Sequence, residues 1–502
     1  MFKPLLRIAA PFLLAASFPL AAQSPAPIAA ADMMRHIQVL ASDQYQGRAP
    51  GTEGERLATS YIVAQLSARG LEPAGENGSW FQPVALVDRA TRSEDVAWTA
   101  GGRTLAFNQA DIALQGRDPE VRIADAPVIF AGHGARLPAR GIDQLAGVDL
   151  HGAIVFILFE APEVPGFPTF TERVRAVTEA GAAAVIGITG ADLEWRFVTE
   201  NFRRPSTKYA GLPTASVVGA MPLAAAQRLF AAGGANLERL LNDQSGPAFH
   251  ALPLPFRGSL HIVTDVRNYT TNNVVGRIRG SGATGEKVLY LAHWDHFGIC
   301  RPPGAPDRIC NGAVDNASGV AMLIEIAGRL AAGPRPVRDV LVMATTAEEE
   351  GLLGAEYFAR HPTVPLGSIV AAINLDTVAV APAGEPVAIL NRSVPALNAQ
   401  VEAAAASMGR RMDDAHEADA MADRQDGWAL ASHGVPAIMV GGSFADMARL
   451  NAFLQGRYHQ PSDQADAPIE MGGAAEDANL LVALGRRLAD PAVYAAPQRT
   501  AP

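Results

Sequence analysis

The chain has 502 residues, of which 49% are hydrophobic and only 18% charged. That composition excludes a disordered chain and is enough for a large core and more than one domain. A formal net charge of −10, with no basic stripe or nucleic-acid motif, argues against nucleic acid as a partner.

Taken in chain order, Lys3 and Arg7 precede an apolar run, Ile8 to Leu20, that is too short to span a bilayer comfortably. With the small pair Ala21-Ala22 behind it, this predicts an export signal over residues 1–22. No lipid-accepting cysteine follows and no later apolar run approaches transmembrane length. The expected mature protein is therefore soluble and exported, periplasmic or secreted. Residues 29–119 open a first domain with an amphipathic helix around Met33 to Leu40, which would leave His36 on its surface. A polar turn, Gln46-Gly47-Arg48-Ala49-Pro50-Gly51-Thr52, leads to a second helix from Gly54 to Arg69, closed by Gly70.

From about residue 120 the texture changes. Val128 to Gly132, Gly152 to Leu158 and Gly181 to Ile188 read as strands, with a helix from Phe170 to Ala180. His133 and His151 are isolated there, so residues 120–250 read as a small α/β insert without chemistry of its own. Over residues 258–492 strands alternate with helices. Strands are expected at 259–265, 274–279, 287–292, 339–346, 369–375 and 436–440, and helices at 317–332, 353–361, 394–408, 427–434 and 474–489. This alternation predicts a doubly wound, mostly parallel α/β sheet flanked by helices. The two cysteines, Cys300 and Cys310, enclose a Pro/Gly-rich loop; a disulfide fits an exported chain better than a metal site short of soft ligands.

Candidate chemistry collects at expected strand ends, where open α/β sheets bind ligands. His293-Trp294-Asp295 closes one strand: an imidazole with a carboxylate nearby to fix its tautomer suits a metal. His296 could compete as a ligand and is read as a second-row or loop residue. Asp315 lies in a Gly/Asn-rich loop before a helix, where a helix cap is the plainer reading. Glu348-Glu349-Glu350 sits between an apolar strand and a helix, and three adjacent acids there are costly unless a cation binds. Asp376 ends another strand, and His459 lies in a loop. Each residue has an ordinary explanation singly. Together, two imidazoles and three carboxylates on one sheet edge suit two divalent zinc ions with one bridging carboxylate. A further acid is needed to move the proton of an attacking water.

The ordered set His293-x-Asp295, Asp315-Asn316-x-Ser318-Gly319, Glu348-Glu349-x-Gly351-Leu352-x-Gly354, Asn374-x-Asp376 and His459-x-Pro461-x-Asp463 resembles the co-catalytic zinc aminopeptidases of metallopeptidase family twenty-eight. Residues 120–250 resemble a protease-associated domain inserted in that core. The resemblance implies two zinc ions, with Asp315 bridging, His293 and Asp376 on one ion, and Glu349 and His459 on the other. It implies Glu348 as general base and Asp295 as the partner of His293. Tyr458 resembles a tyrosine that in some members hydrogen-bonds the developing oxyanion, although simple packing would also account for it. Peptide substrates follow, cleaved at the N-terminal bond. Glu350 is left as a surface acid. One departure stands out: where many members have Arg-Ser-Asp-His, this chain reads Arg424-Gln425-Asp426-Gly427. The rival readings are a dizinc carboxypeptidase or deacylase of family twenty and a non-catalytic, receptor-like relative. A metallo-β-lactamase-type site would want a His where Leu291 stands.

Overall fold

The computed structural model describes residues 25–162, 167–211, 215–244 and 249–496. The expected leader, residues 1–22, lies outside them. The chain forms two compact units: one takes residues up to 82, 274–345 and 358 onward, the other residues 83–273 and 346–357.

The first unit begins with α1 (Ala30–Leu40) and α2 (Glu53–Ala68). Met33, His36, Ile37 and Leu40 are spaced to fall on one face of α1, and all are buried. His36 is thus a core residue, contrary to the surface position expected. Its Nδ1 lies 2.7 Å from the Tyr61 hydroxyl and its Nε2 3.0 Å from Glu325 Oε1. The physical reason is Glu325: a buried carboxylate needs partners, and His36, Arg69 and Arg329 supply them.

The second unit is built on β1 (Phe81–Ala100), β2 (Ala113–Gly116), β3 (Glu120–Phe130), β4 (Ile154–Leu158), β5 (Ala184–Thr189), β6 (Ser206–Tyr209) and β7 (Val217–Pro222), with helices α3 (Phe170–Glu179), α4 (Trp195–Arg203), α5 (Leu223–Ala232) and α6 (Leu237–Asp243). β3, β4, β5 and β7 pair in parallel in that order, and β2 closes the β7 edge antiparallel. Trp98, Phe130, Phe156, Phe230 and Phe256 fill the centre of its core. Residues 83–119 belong to this unit because β1 pairs with β6 and β2 with β7.

β8 (Leu252–Ile278) is a single 27-residue strand where two were expected. The polar stretch from Asp265 reads as a break. Its β-branched and aromatic residues keep it extended, and Asp88 accepts hydrogen bonds from both Arg267 and the Tyr269 hydroxyl. Residues 252–263 of β8 pair with β3, and residues 274–278 pair with β10 of the first unit's sheet.

That sheet comprises β9 (Lys287–His293), β10 (Asp339–Thr345), β11 (Ile369–Asn374), β12 (Ala388–Leu390) and β13 (Ala437–Gly441). The order is β12-β13-β11-β9-β10-β8, parallel from β13 to β10 and antiparallel at both edges. Its central strands are buried along almost their whole length, which explains their unbroken apolar runs. The flanking helices are α7 (Ser318–Ala332), α9 (Pro395–Ser407), α10 (Asp426–Ser432), α11 (Met447–Gly456) and α12 (Met471–Leu488), while α8 (Leu353–Arg360) begins in the second unit and ends in the first. The mostly parallel, helix-flanked sheet is the one expected.

Candidate metal centre

β9, β10 and β11 run in parallel and end together, so their last residues share the sheet's carboxyl edge. His293 ends β9 in register with Thr345 of β10, and Asp376 stands two residues beyond the end of β11. The loop before α7 brings Asp315 to the same edge, and the chain after α11 brings His459. His293 Nε2 is 3.3 Å from Asp315 Oδ1 and 3.5 Å from Asp376 Oδ1, while His459 Nε2 is 3.3 Å from Asp315 Oδ2. Two ligands on one tetrahedral zinc, with bonds of about 2.0–2.2 Å, stand about 3.3–3.5 Å apart. Each oxygen of Asp315 therefore faces a different imidazole at the spacing two ligands of one ion would keep. The donor set fits two ions sharing that carboxylate.

Burial alone would raise the Asp315 carboxyl, but the imidazoles of His293 and His459 outweigh it and hold the carboxyl well below the usual range. His293 is 1% exposed, whereas the His459 side chain is 34% exposed, so solvent reaches the cluster on the His459 side. On the far side of His293, Nδ1 lies 3.2 Å from the carbonyl oxygen of Asp295 and 3.9 Å from its carboxylate. Both groups orient the ring. His296, read as a second-row or loop residue, is buried, with Nδ1 3.9 Å from Asp315 Oδ2.

The Asp315 loop is held by residues that the sequence reading assigned no role. Asp463 is fully buried and accepts backbone N–H bonds from Val314 and Asp315 at 3.0–3.1 Å. Burial nevertheless raises its carboxyl above the usual range, with those N–H groups opposing. Asn316 accepts from the Gly319 amide and donates to the carbonyl of Leu375, tying the loop to the end of β11. A Cβ on Gly319 would lie 2.2 Å from Asn316 Oδ1 and 2.3 Å from that same carbonyl, so only glycine fits. Arg48, from the polar turn before α2, is 1% exposed. It donates to the carbonyls of Trp294, Leu40, Asn311 and Gly312 at 2.6–2.9 Å. One guanidinium thus joins the loop after His293 to the loop before Asp315.

Tyr458 stacks on the His459 ring at 3.6 Å between centroids, and Phe297 meets the same imidazole edge-on at 4.5 Å. Asp426, in the departing Arg424-to-Gly427 stretch, is fully buried and accepts a short hydrogen bond from the Thr345 hydroxyl. Burial pushes its carboxyl up to about 6, with Asp376 adding and His293 and Thr345 opposing. Gln425 caps α10 by accepting from the Gly427 amide at 2.7 Å, which gives this departure a structural use. Cys300 and Cys310 form a disulfide.

Glu348 and Glu349 belong to the second unit, partly exposed, in the turn that follows Thr345. The carbonyl of Glu348 accepts from the amides of Gly351 and Leu352, which folds the chain back into α8. Glu350, expected as a surface acid, is partly exposed like the two acids before it. Burial raises its carboxyl, and the charges of Asp88 and Glu349 raise it further. No local sequence signal betrays this, because Asp88 comes from a distant strand.

Among known proteins, the model of peptidase family M28 matches residues 273–484. A probable glutamate carboxypeptidase from Arabidopsis thaliana is 26% identical over 371 residues, covering 65% of this chain and 48% of that protein. A probable zinc metalloprotease from Pyrenophora teres f. teres is 42% identical over 114 residues, 22% of this chain and 23% of the relative. The chain thus spans about half the length of the first relative and about a quarter of the second. Among solved structures, an aminopeptidase from Aneurinibacillus sp. strain AM-1 superposes with a TM-score of 0.53 at 17% identity, covering 92% of this chain and 93% of that one. At that identity the likeness concerns the fold.

Proposed function

We propose that the chain is an exported dizinc aminopeptidase of peptidase family M28, whose model matches residues 273–484. The observation carrying this reading is the Asp315 carboxylate, which turns one oxygen to His293 and the other to His459 at 3.3 Å each. In it, Asp315 would bridge, His293 and Asp376 would hold one zinc, and Glu349 and His459 would hold the other. Chain connectivity supports Glu348 and Glu349 in these roles: Thr345 is the register partner of His293, and the acids follow three and four residues later. When bound, the ions would supply Lewis acidity toward a carbonyl oxygen and a water of lowered pKa.

The chain's own residues supply the rest. Glu348 takes the proton of the attacking water and returns it to the leaving amine. Asp295 fixes the tautomer of His293, and Arg48 and Asp463 keep the ligand loops in place. Tyr458 stacks His459 and turns its hydroxyl to the developing oxyanion. Export rests on the N-terminal leader pattern, and the Cys300–Cys310 disulfide suits an oxidising compartment.

The test is a peptide library digested by the purified protein, with and without chelator, alongside metal analysis. N-terminal residues lost one at a time, two zinc ions per chain and abolition by chelator are expected. The Arabidopsis relative's name favours a second reading, a dizinc carboxypeptidase. C-terminal trimming of the library would establish that reading instead. Intact peptides with no zinc bound would leave a receptor-like protein.

A further inference from the structure

We infer that the unit built from residues 83–273 belongs to the catalytic apparatus: through Tyr209 and Asn273 it positions the turn that carries Glu348 and Glu349. This inference rests on the roles proposed above for those two acids. The acid turn, residues 346–357, packs as part of that unit. Ala347 and Leu353 are buried in an apolar cluster with Val84 and Leu86, and Tyr209, Tyr269 and Tyr357 pack against it.

Hydrogen bonds grip the turn at both ends. Asn273, fully buried, accepts from the Thr346 amide at 3.0 Å and donates to the carbonyl of Gly354 at 2.9 Å. A single side-chain amide therefore closes the loop around the acids. A Cβ on Gly354 would lie 2.5 Å from that amide's oxygen, so glycine is required for the contact. Thr271 reinforces the first end through the Thr346 hydroxyl at 2.6 Å. At the other end the Tyr209 hydroxyl donates to the carbonyl of Leu353 at 2.6 Å.

Tyr209 is itself firmly mounted. It ends β6, whose residues 206–209 pair with Arg89 to Leu86 of β1. Thr207, two residues before it, donates to the Asp88 carboxylate at 2.9 Å. The backbone between the grips includes Ala347 at φ 51° and Leu352 at φ 60°, a left-handed conformation that non-glycine residues hold only when their surroundings impose it. Two such residues flank the acids, and the side chains that hydrogen-bond the turn at its two ends come from β6 and β8. The inserted unit does more than space other parts of the chain, because it fixes where the two carboxylates stand.

Tyr209→Phe removes one hydroxyl and keeps the ring. It should lower kcat about tenfold with KM unchanged, as expected when a catalytic group is misplaced by a fraction of an ångström. In titrations of the apoprotein it should weaken the second zinc equivalent and leave the first unchanged. Asn273→Asp, which keeps the acceptor for Thr346 but loses the donor to Gly354, should act in the same direction more strongly. Ile186→Val, deep in the same unit's core, serves as the control for stability alone and should leave kcat and both zinc affinities at wild-type values. Tyr209→Phe with wild-type kcat and wild-type second-site affinity overturns the inference. So does Ile186→Val, if it loses as much kcat per degree of Tm. If the wild-type protein binds zinc but cleaves no peptide, the proposed reaction fails, and the zinc titrations still decide the positioning role.

Discussion

Glu348 and Glu349 are consecutive copies of one side chain, so their roles separate only by substitution. Glu348→Gln should cut kcat by about 10²–10⁴, the usual worth of a positioned base, and leave both zinc ions bound. Glu349→Gln should release one ion. A zinc content of two for the second variant and one for the first would mean that the roles are exchanged. Asp477, away from the cluster, offers a pH test of stability. Burial pushes its carboxyl up to about 6, with Arg410 and the Gly442 amide opposing. Unfolded aspartate titrates near 3.9, so the folded chain holds the extra proton between the two values. That stability is present below about pH 4 and is lost as pH rises through 6, on the order of 3 kcal/mol at most. Asp477→Asn cannot lose a proton, and its denaturation midpoint should fall less than the wild type's between pH 4 and 7. Parallel slopes would discount the residue. The ligand candidates were legible because His293 and Asp376 end apolar strands. Arg48 and Asp463 were not, because their value lies in backbone groups far along the chain.

At the level of elements, the βα alternation located β9, β10, β11 and β13 of the first unit's sheet to within a residue or two, since strands buried on both faces leave continuous apolar runs. It failed where polarity and extension part company, along the middle of β8, and where a helix face must bury a charge, as α1 does with His36 against Glu325. The start of α7 gives the sharpest element-scale prediction. Gly319→Ala sets a methyl group against Asn316 and the Leu375 carbonyl at separations real atoms do not tolerate. Either α7 or the Asp315 loop must move. The variant should lose at least about 2 kcal/mol of stability, in the range for overpacked sites, and bind zinc more weakly. A crystal structure or calorimetric scan indistinguishable from wild type would refute this account of the Asp-Asn-x-Ser-Gly motif.

At the scale of the whole molecule, the first unit buries Asp295, Asp315, Asp376, Asp426 and Asp463 around three imidazoles. Such a cluster is stable only with positive charge nearby. Zinc should therefore raise the thermal midpoint of the intact protein, by about 2.7 kcal/mol equivalent at a hundredfold excess over Kd. Chelator should lower the midpoint reversibly, and a midpoint indifferent to both would argue against resident ions. The division of the chain was less legible than its sheet. Composition marks a change near residue 120, but β1 and β2 join the second unit through partners more than a hundred residues away.

The Asp315 carboxylate, set between His293 and His459, also imposes an order of events in the cell. During synthesis, the stretch that ends with His293 and Asp315 leaves the ribosome well before His459 exists. A growing chain can offer half of the cluster to a passing ion but never the whole. On the two-ion reading, loading of the second ion would therefore wait until nearly all of the polypeptide has been made.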